Sequence, residues 1–476
     1  MPIKDIPINV GLNKEVDEVG LRTNNAAMQD VYVDDLGGVN RRPGLTELCD
    51  LGTSAGVDGI FWWKTQSVVL AVSNGRLFKI TANDGTFSEI SFDSGQFAVT
   101  EARVSFADFD TAIYAANGSE VYKIPSTGNA APLADVDAPT GISHVAFLDR
   151  YLLMLQVDTR KIWFSAVGDP DTHEGDYFSK DAQFDELKSL AVANLEAYLL
   201  GEATMEVWYN DGSTPFSRLG QGFVQSGTIS PHSLAYCDVV STFVWLDNER
   251  KVVMLKGRTP AVLSGSMNAY INGFSTVSDA QGDSVVINGR PYYILSFKTE
   301  DKTLVWDFVK EQWYEWGYWN SISAEYERWR GNCYCLCPAW NFSLVGDKSN
   351  GKIYKVDPEY FTDAGDTIRM LCQTGHIDRE APGTSKKCKS ISVRLKRTQV
   401  SEGVAAVQIV VQYRDNGQST WKTEKTITLS SQTADTAFTA RIHQLGKYDT
   451  RQWRFIYTDP NVGCSLVQVQ EDFDYL

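Results

Sequence analysis

An apolar–aromatic step recurs along this 476-residue chain at Leu77-Phe78, Val121-Tyr122, Ile162-Trp163, Val207-Trp208, Val305-Trp306 and Ile353-Tyr354, and a degenerate copy, Val252-Val253, fills the one long gap. The second positions, 78, 122, 163, 208, 253, 306 and 354, are 44, 41, 45, 45, 53 and 48 residues apart. A period of about 40 to 50 residues is that of a propeller blade. It also answers a size problem, because a chain beyond about 250 to 300 residues splits into domains unless it is built from repeats.

Most copies carry an apolar run about ten residues upstream: "VVLAV" from Val68, "TAIYAA" from Thr111, "YLLMLQV" from Tyr151, "AYLLGE" from Ala197, "TFVWLD" from Thr242 and "PYYILSF" from Pro291. Each run and its step read as two antiparallel strands joined by a tight turn, for which Asn74-Gly75, Asn117-Gly118 and Asn350-Gly351 offer positive φ angles. Long helical patterns are scarce, so the fold class is mainly β. The expectation is a six- or seven-bladed β-propeller, which a strand borrowed from the N-terminal arm could close, and whose radial layout shortens exposed sheet edges.

Three further segments follow from breaks in the pattern. Residues 1–48 lack periodicity and end in "GGVNRRPGLTEL", which reads as an N-terminal arm; residues 49–378 hold the propeller, with an inserted loop or short helix near 257–283. From 379 to 476, alternating strands such as "SISVRLKR", "VQIVVQY" and "QWRFIYT" predict a small C-terminal β-sandwich.

The formal charge of −16, from 60 acidic and 44 basic residues, argues against a sequence-independent grip on phosphates. No run approaches the roughly 18 apolar residues of a membrane-spanning helix, and the start has no basic region followed by an apolar block, so a soluble chain without a signal peptide is expected. Eight scattered cysteines are expected to be reduced and mostly buried.

Motifs that could carry chemistry are few. There is no HExxH, P-loop, GxSxG or GxGxxG, and the five histidines, 144, 173, 232, 376 and 443, show no supporting pattern. Cys333, Cys335 and Cys337 alternate, so on a strand they share one face, as packed thiols more readily than as a zinc knuckle. Asp169, Asp171, Glu174 and Asp176 gather in "GDPDTHEGDYF", but glycine falls seventh in the loop and the EF-hand match fails, leaving a solvated acidic turn. "YRDNGQSTW", Tyr413 to Trp421, is similar to an Asp-box hairpin, with Trp421 expected beneath the Asp415-Asn416-Gly417 turn. No catalytic, cofactor-binding or metal residue is assigned, and no cofactor is implied.

Taken in order, "MPIKDIPI", "RRPG" at 41 to 44, "WFSAVGDPDTHEGDYF", "MEVWYNDGSTPFSR" and the final β-region resemble the tail hub proteins of short-tailed bacteriophages, also called packaged-DNA stabilisation proteins. The resemblance implies a non-enzymatic virion protein: one subunit of a ring, a hexamer, forming the tail hub or nozzle that extends the portal and its adaptor. It implies assembly in the host cytoplasm, residence in the short tail, and neighbours that include the portal adaptor and tail fibre, tailspike or needle proteins. Genomic DNA would pass through the ring lumen without specific binding. It assigns no role to Arg41, Arg42 or Asp169. Two other classes remain open at this point: a propeller-based glycan-binding protein or sialidase-like hydrolase, and a propeller scaffold unrelated to virions.

Overall fold

A computed structural model describes residues 3–15, 25–93, 97–98, 103–212, 215–320, 322–399, 407–429 and 437–476. Six blades are built from four consecutive antiparallel strands each. They run from Val57–Trp63 to Phe87–Ile90, Ser105–Phe109 to Ala131–Pro132, Ile142–Leu148 to Tyr177–Ser179, Leu187–Ala193 to Phe216–Val224, Ala235–Cys237 to Thr259–Val262, and Gln281–Ile287 to Gln312–Glu315. A seventh blade has three consecutive strands, Gly331–Cys337, Phe342–Asp347 and Lys352–Asp357, and takes its fourth, Gly44–Asp50, from the arm. The first strands of the seven blades neighbour one another in a closed circle.

The repeated step is the third strand of every blade and the upstream run is the second. Second strands are buried on both faces, as in Val68–Ser73 and Thr242–Leu246, whereas the outer strand Phe87–Ile90 buries only Ile90. This gradient follows from stacking twisted sheets side by side: neighbours cover both faces near the axis and diverge toward the rim. Between successive blades lies a separate apolar cluster, such as Tyr198, Val207, Phe243 and Trp245 between the fourth and fifth. Cys333, Cys337, Ile353, Ile60 and Phe78 seal the seventh against the first.

Turn chemistry differs among the three Asn-Gly pairs. Asn74 and Gly75 have φ of 52° and 70°, the paired left-handed conformation of a two-residue hairpin. At 117–118 only Gly118 is left-handed, and the Asn117 side chain instead accepts the N–H groups of Ser119 and Glu120. Asn350-Gly351 has no positive φ; a Cβ on Gly351 would lie 2.2 Å from Thr53 Oγ1, so glycine is needed there for close approach of the chain at Thr53.

The arm is woven into the molecule, and strands reach across the segment limits. Gly44–Asp50 straddles residue 48, and Met370–Gln373, ahead of residue 379, belongs to a sandwich sheet. The sixth blade continues past Gln312–Glu315 through Ala27–Gln29, Met370–Gln373, Arg451–Tyr457, Val407–Asp415 and Lys422–Leu429, giving one nine-stranded sheet. Against it packs a second sheet made of Val31–Val33, Val39–Arg41, Gly463–Tyr475, Lys386–Gln399 and Ala437–His443, with Ile3–Asp5 and Lys447–Tyr448 at its margins. One apolar core spans both sheets and the last two blades, from Val393 and Phe455 to Trp316 and Tyr354. The stretch near 257–283 is less an insertion than a link: Thr259–Val262 ends the fifth blade, Asn268–Asn272 is a short helix, and Gln281–Ile287 starts the sixth.

Candidate functional site

A funnel of about 680 Å³ opens on the propeller axis, walled by the first strands of six blades, with Phe61, Phe106, Phe147 and Tyr236 among its lining. Groups from opposite sides meet across it. Arg103, just ahead of the second blade, pairs with Asp283 of the sixth and donates to Gly282 O at 3.2 Å. His144 of the third blade stacks on His232, ahead of the fifth, with ring centroids 5.0 Å apart, and its Nδ1 is 2.9 Å from Ser143 Oγ. Gly282 lets the sixth blade approach the fifth, since a Cβ there would lie 2.2 Å from Ser233 O.

Burial governs the protonation of these groups. It pushes Asp283 up to about 6 despite Arg103, and drives His144 down to about 3, helped by the cationic form of His232. The stacked histidine pair lies beside the Arg103–Asp283 ion pair and fills the axis with it. Side chains that meet across the funnel in this way leave no open bore along the propeller axis.

The "RRPG" arginines are structural clamps. Arg42 is fully buried: Nε donates to Asp30 Oδ1 at 2.5 Å, Nη1 and Nη2 grip Asp363 at 2.9 and 2.5 Å, and Nη2 donates to Gly317 O at 3.1 Å. This bidentate geometry is specific to a guanidinium. Arg41 donates to the carbonyls of Asp459 at 2.6 Å and Val462 at 3.1 Å and stacks near Phe361 and Tyr457. Together they tie the arm to the propeller on one side and the sandwich on the other. The run "RR" marks the position, but neither set of partners is visible in sequence.

The other motifs find structural partners. Asp169 caps its own turn, accepting Thr172 Oγ1 at 2.8 Å, while Asp171 accepts Tyr114 Oη at 2.8 Å and pairs with Lys123 of the preceding blade. Lys123 is therefore an inter-blade tie. Lys79 is another, donating to Ser126 O at 3.1 Å. All eight cysteines are free thiols; Cys333 and Cys337 are buried, and Cys335 Sγ lies 3.5 Å from Cys337 Sγ on the shared face. Burial pushes the Cys333 thiol up, away from reactivity. In the Asp-box-like turn, Asn416 and Gly417 are left-handed, and Asp415 is held by Arg451 at 2.6 Å and Lys422 at 2.7 Å. Trp421 lies against the Arg414 and Arg454 guanidinium groups. Among the described residues, no group of His, Cys, Asp and Glu side chains could hold a metal ion, and no helix is long and apolar enough to cross a membrane.

Fold and axis together define a seven-bladed propeller with a plugged centre, joined to a β-sandwich through a woven arm. A family model described as bacteriophage P22 Gp10, beta-propeller, matches residues 21–361. The chain belongs to this family of phage structural proteins, whose role is the stabilisation of packaged DNA. No curated protein sequence matches it. Among solved structures, it is similar to the extracellular domain of BT4673 from B. thetaiotaomicron (8% identity, TM-score 0.44, covering 86% of this chain and 58% of that one). It is also similar to U3-55K (10%, 0.43, 66% and 99%) and to the N-terminal domain of Nup159 (9%, 0.40, 69% and 98%).

Proposed function

We propose that this phage virion protein is the tail hub, or nozzle, of a short tail: one subunit of a ring, hexameric by our reading, that extends the portal–adaptor channel. The observation that carries the proposal is the family match over residues 21–361. The plugged axis supports it indirectly. A conduit for DNA would have to run between subunits, and a rigid disc that meets its neighbours through heterologous contacts closes into such a ring. The acidic balance of the chain suits a wall that does not retain DNA by counterion release.

In this reading the protein is non-enzymatic, is assembled in the host cytoplasm, holds the packaged genome and anchors a tail fibre, tailspike or needle protein. The arm (1–48), the link near 257–283 and the sandwich (379–476) are the segments we assign to partners, with the blades (49–378) as scaffold. A glycan-active reading draws no support from the Asp-box-like turn, because Arg451 and Lys422 already take its carboxylate.

The test is assembly. Purified protein imaged by electron microscopy, alone and with the portal adaptor, should form a closed ring, and particles made without it should package DNA and then leak it. A protein that stays monomeric with the adaptor present, with particles that keep their DNA in its absence, would overturn the proposal.

A further inference from the structure

The nine-stranded sheet that joins the sixth blade to the sandwich carries a pocket of about 290 Å³, lined by Lys14, Arg369, Arg414, Arg454, Trp319 and Trp421 among others. Four cations converge on it from three parts of the chain: the arm, the segment after the seventh blade, and the sandwich. Among the described residues, no carboxylate lines it. Two acids outside the lining act on these cations: Glu315 accepts from Gln29 Nε2 at 2.9 Å and lies 3.8 Å from Lys302, and Asp30 accepts from Arg42 Nε at 2.5 Å.

Neutral groups hold Lys14, Arg369 and Arg414 in place and also touch Arg454. Arg414 Nε donates to Gln452 Oε1 at 2.6 Å, Arg454 Nε to Gln412 Oε1 at 2.8 Å, and Lys14 Nζ to Asn25 Oδ1 at 2.8 Å. Arg369 lies 4.0 Å from the Trp319 ring centroid, and Arg414 and Arg454 lie 4.7 and 4.2 Å from that of Trp421. Amide oxygens and ring faces fix a guanidinium without cancelling its charge. Burial accordingly lowers the pKa of Lys14, Arg369 and Arg414, so holding them here costs free energy that an incoming anion would offset.

We propose that this pocket is a docking site for an acidic segment of a partner protein, whose Asp or Glu carboxylates pair with Arg369, Arg414 and Lys14. Shape and charge select that class. The volume admits one or two carboxylate side chains. The tryptophan rings are taken up by guanidinium groups, which disfavours sugars that need a bare aromatic face. Planar guanidinium edges match carboxylates bidentately. The inference is independent of the ring proposal, because it concerns a pocket within one chain.

The experiment uses the full chain and a fluorescein-labelled hexaglutamate peptide, with binding followed by fluorescence anisotropy at low salt. Hexaglutamine and inorganic phosphate serve as the other arms. The expected result is saturable hexaglutamate binding, no hexaglutamine binding, little competition by millimolar phosphate, and a loss of about tenfold in affinity in each of Arg369→Gln and Arg414→Gln. Arg76→Gln, at a half-exposed position on the third strand of the first blade, should bind like the parent chain. Arg369 is the safer variant for folding, since its guanidinium rests on Trp319; melting curves establish that each variant is folded, and one folded variant suffices. Absence of hexaglutamate binding, binding unchanged in the folded variants, or equal displacement by phosphate would each overturn the proposal.

Discussion

The interface between the fourth and fifth blades and the junction of arm, seventh blade and sandwich solve the same problem differently. The first is apolar and local: Tyr198, Val207, Phe243, Trp245 and Val253 meet within about one repeat of sequence. The junction combines an apolar core with buried charge, and its partners are remote, as where Arg42 reaches Asp363 across 321 positions. Apolar contacts are interchangeable between blades, so a ring of blades alone specifies neither its closure nor the placement of what is attached. A guanidinium that must find two particular carboxylates does specify a register, at the cost of desolvating every charge involved.

The sharpest way to break this contrast is at Arg42. Arg42→Met leaves Asp30 and Asp363 buried without their cation, and we expect a loss of about 3 to 5 kcal/mol in chemical denaturation. A loss below about 1 kcal/mol would mean that closure rests on the apolar core instead.

Two tryptophans of equal burial extend the comparison. Trp245→Ala and Trp316→Ala should each cost about 3 to 5 kcal/mol. Their reach should differ: hydrogen exchange should rise in the fourth and fifth blades for Trp245→Ala, and in the arm and sandwich as well for Trp316→Ala, whose Nε1 donates to Val31 O at 3.1 Å. Identical exchange patterns would show the molecule to be a single cooperative unit without the proposed division.

The same contrast explains what could be read from the chain. All seven third strands were legible, because each blade repeats the same hydrophobic rhythm and its strands pair with near neighbours in sequence. The arm was not. Ile3–Asp5, Ala27–Gln29 and Val31–Val33 are three residues long, too short for a periodic signal, and the partners of the first two lie hundreds of residues away. The axial site was equally hidden: Arg103, His144, His232 and Asp283 come from four different repeats, and only the circle of blades brings them together. Trp421 was visible as part of a hairpin, but its flanking arginines come from separate strands of the sandwich.

A smaller effect is expected at the axis as pH changes. The unfolded chain takes up the His144 proton near 6.5, whereas the folded chain resists it down to about 3. Between those values the unfolded state holds more protons, so this group's contribution falls with falling pH, by up to about 1.4 kcal/mol per pH unit. Asp283, raised to about 6, acts oppositely: its contribution is full below about 4 and is lost as pH rises through 6. Comparing His144→Gln with the parent chain cancels the carboxylate. The variant should lose less stability between pH 6.5 and 4.5, and parallel curves would remove the buried neutral histidine from the account.

The smallest effect should come from an ion pair on the outer half of a blade. Arg76 and Glu89 pair across the third and fourth strands of the first blade with both side chains 43% exposed. Water and salt screen such a pair, and two long side chains lose rotamer freedom to form it. Arg76→Ala should therefore leave the melting temperature unchanged within measurement error at 0.15 M salt, although the chemistry removed is the same guanidinium–carboxylate contact as at Arg42. A clear drop would place real stability at the rim of the propeller and weaken the argument that burial, not charge pairing as such, separates the junction from the blades.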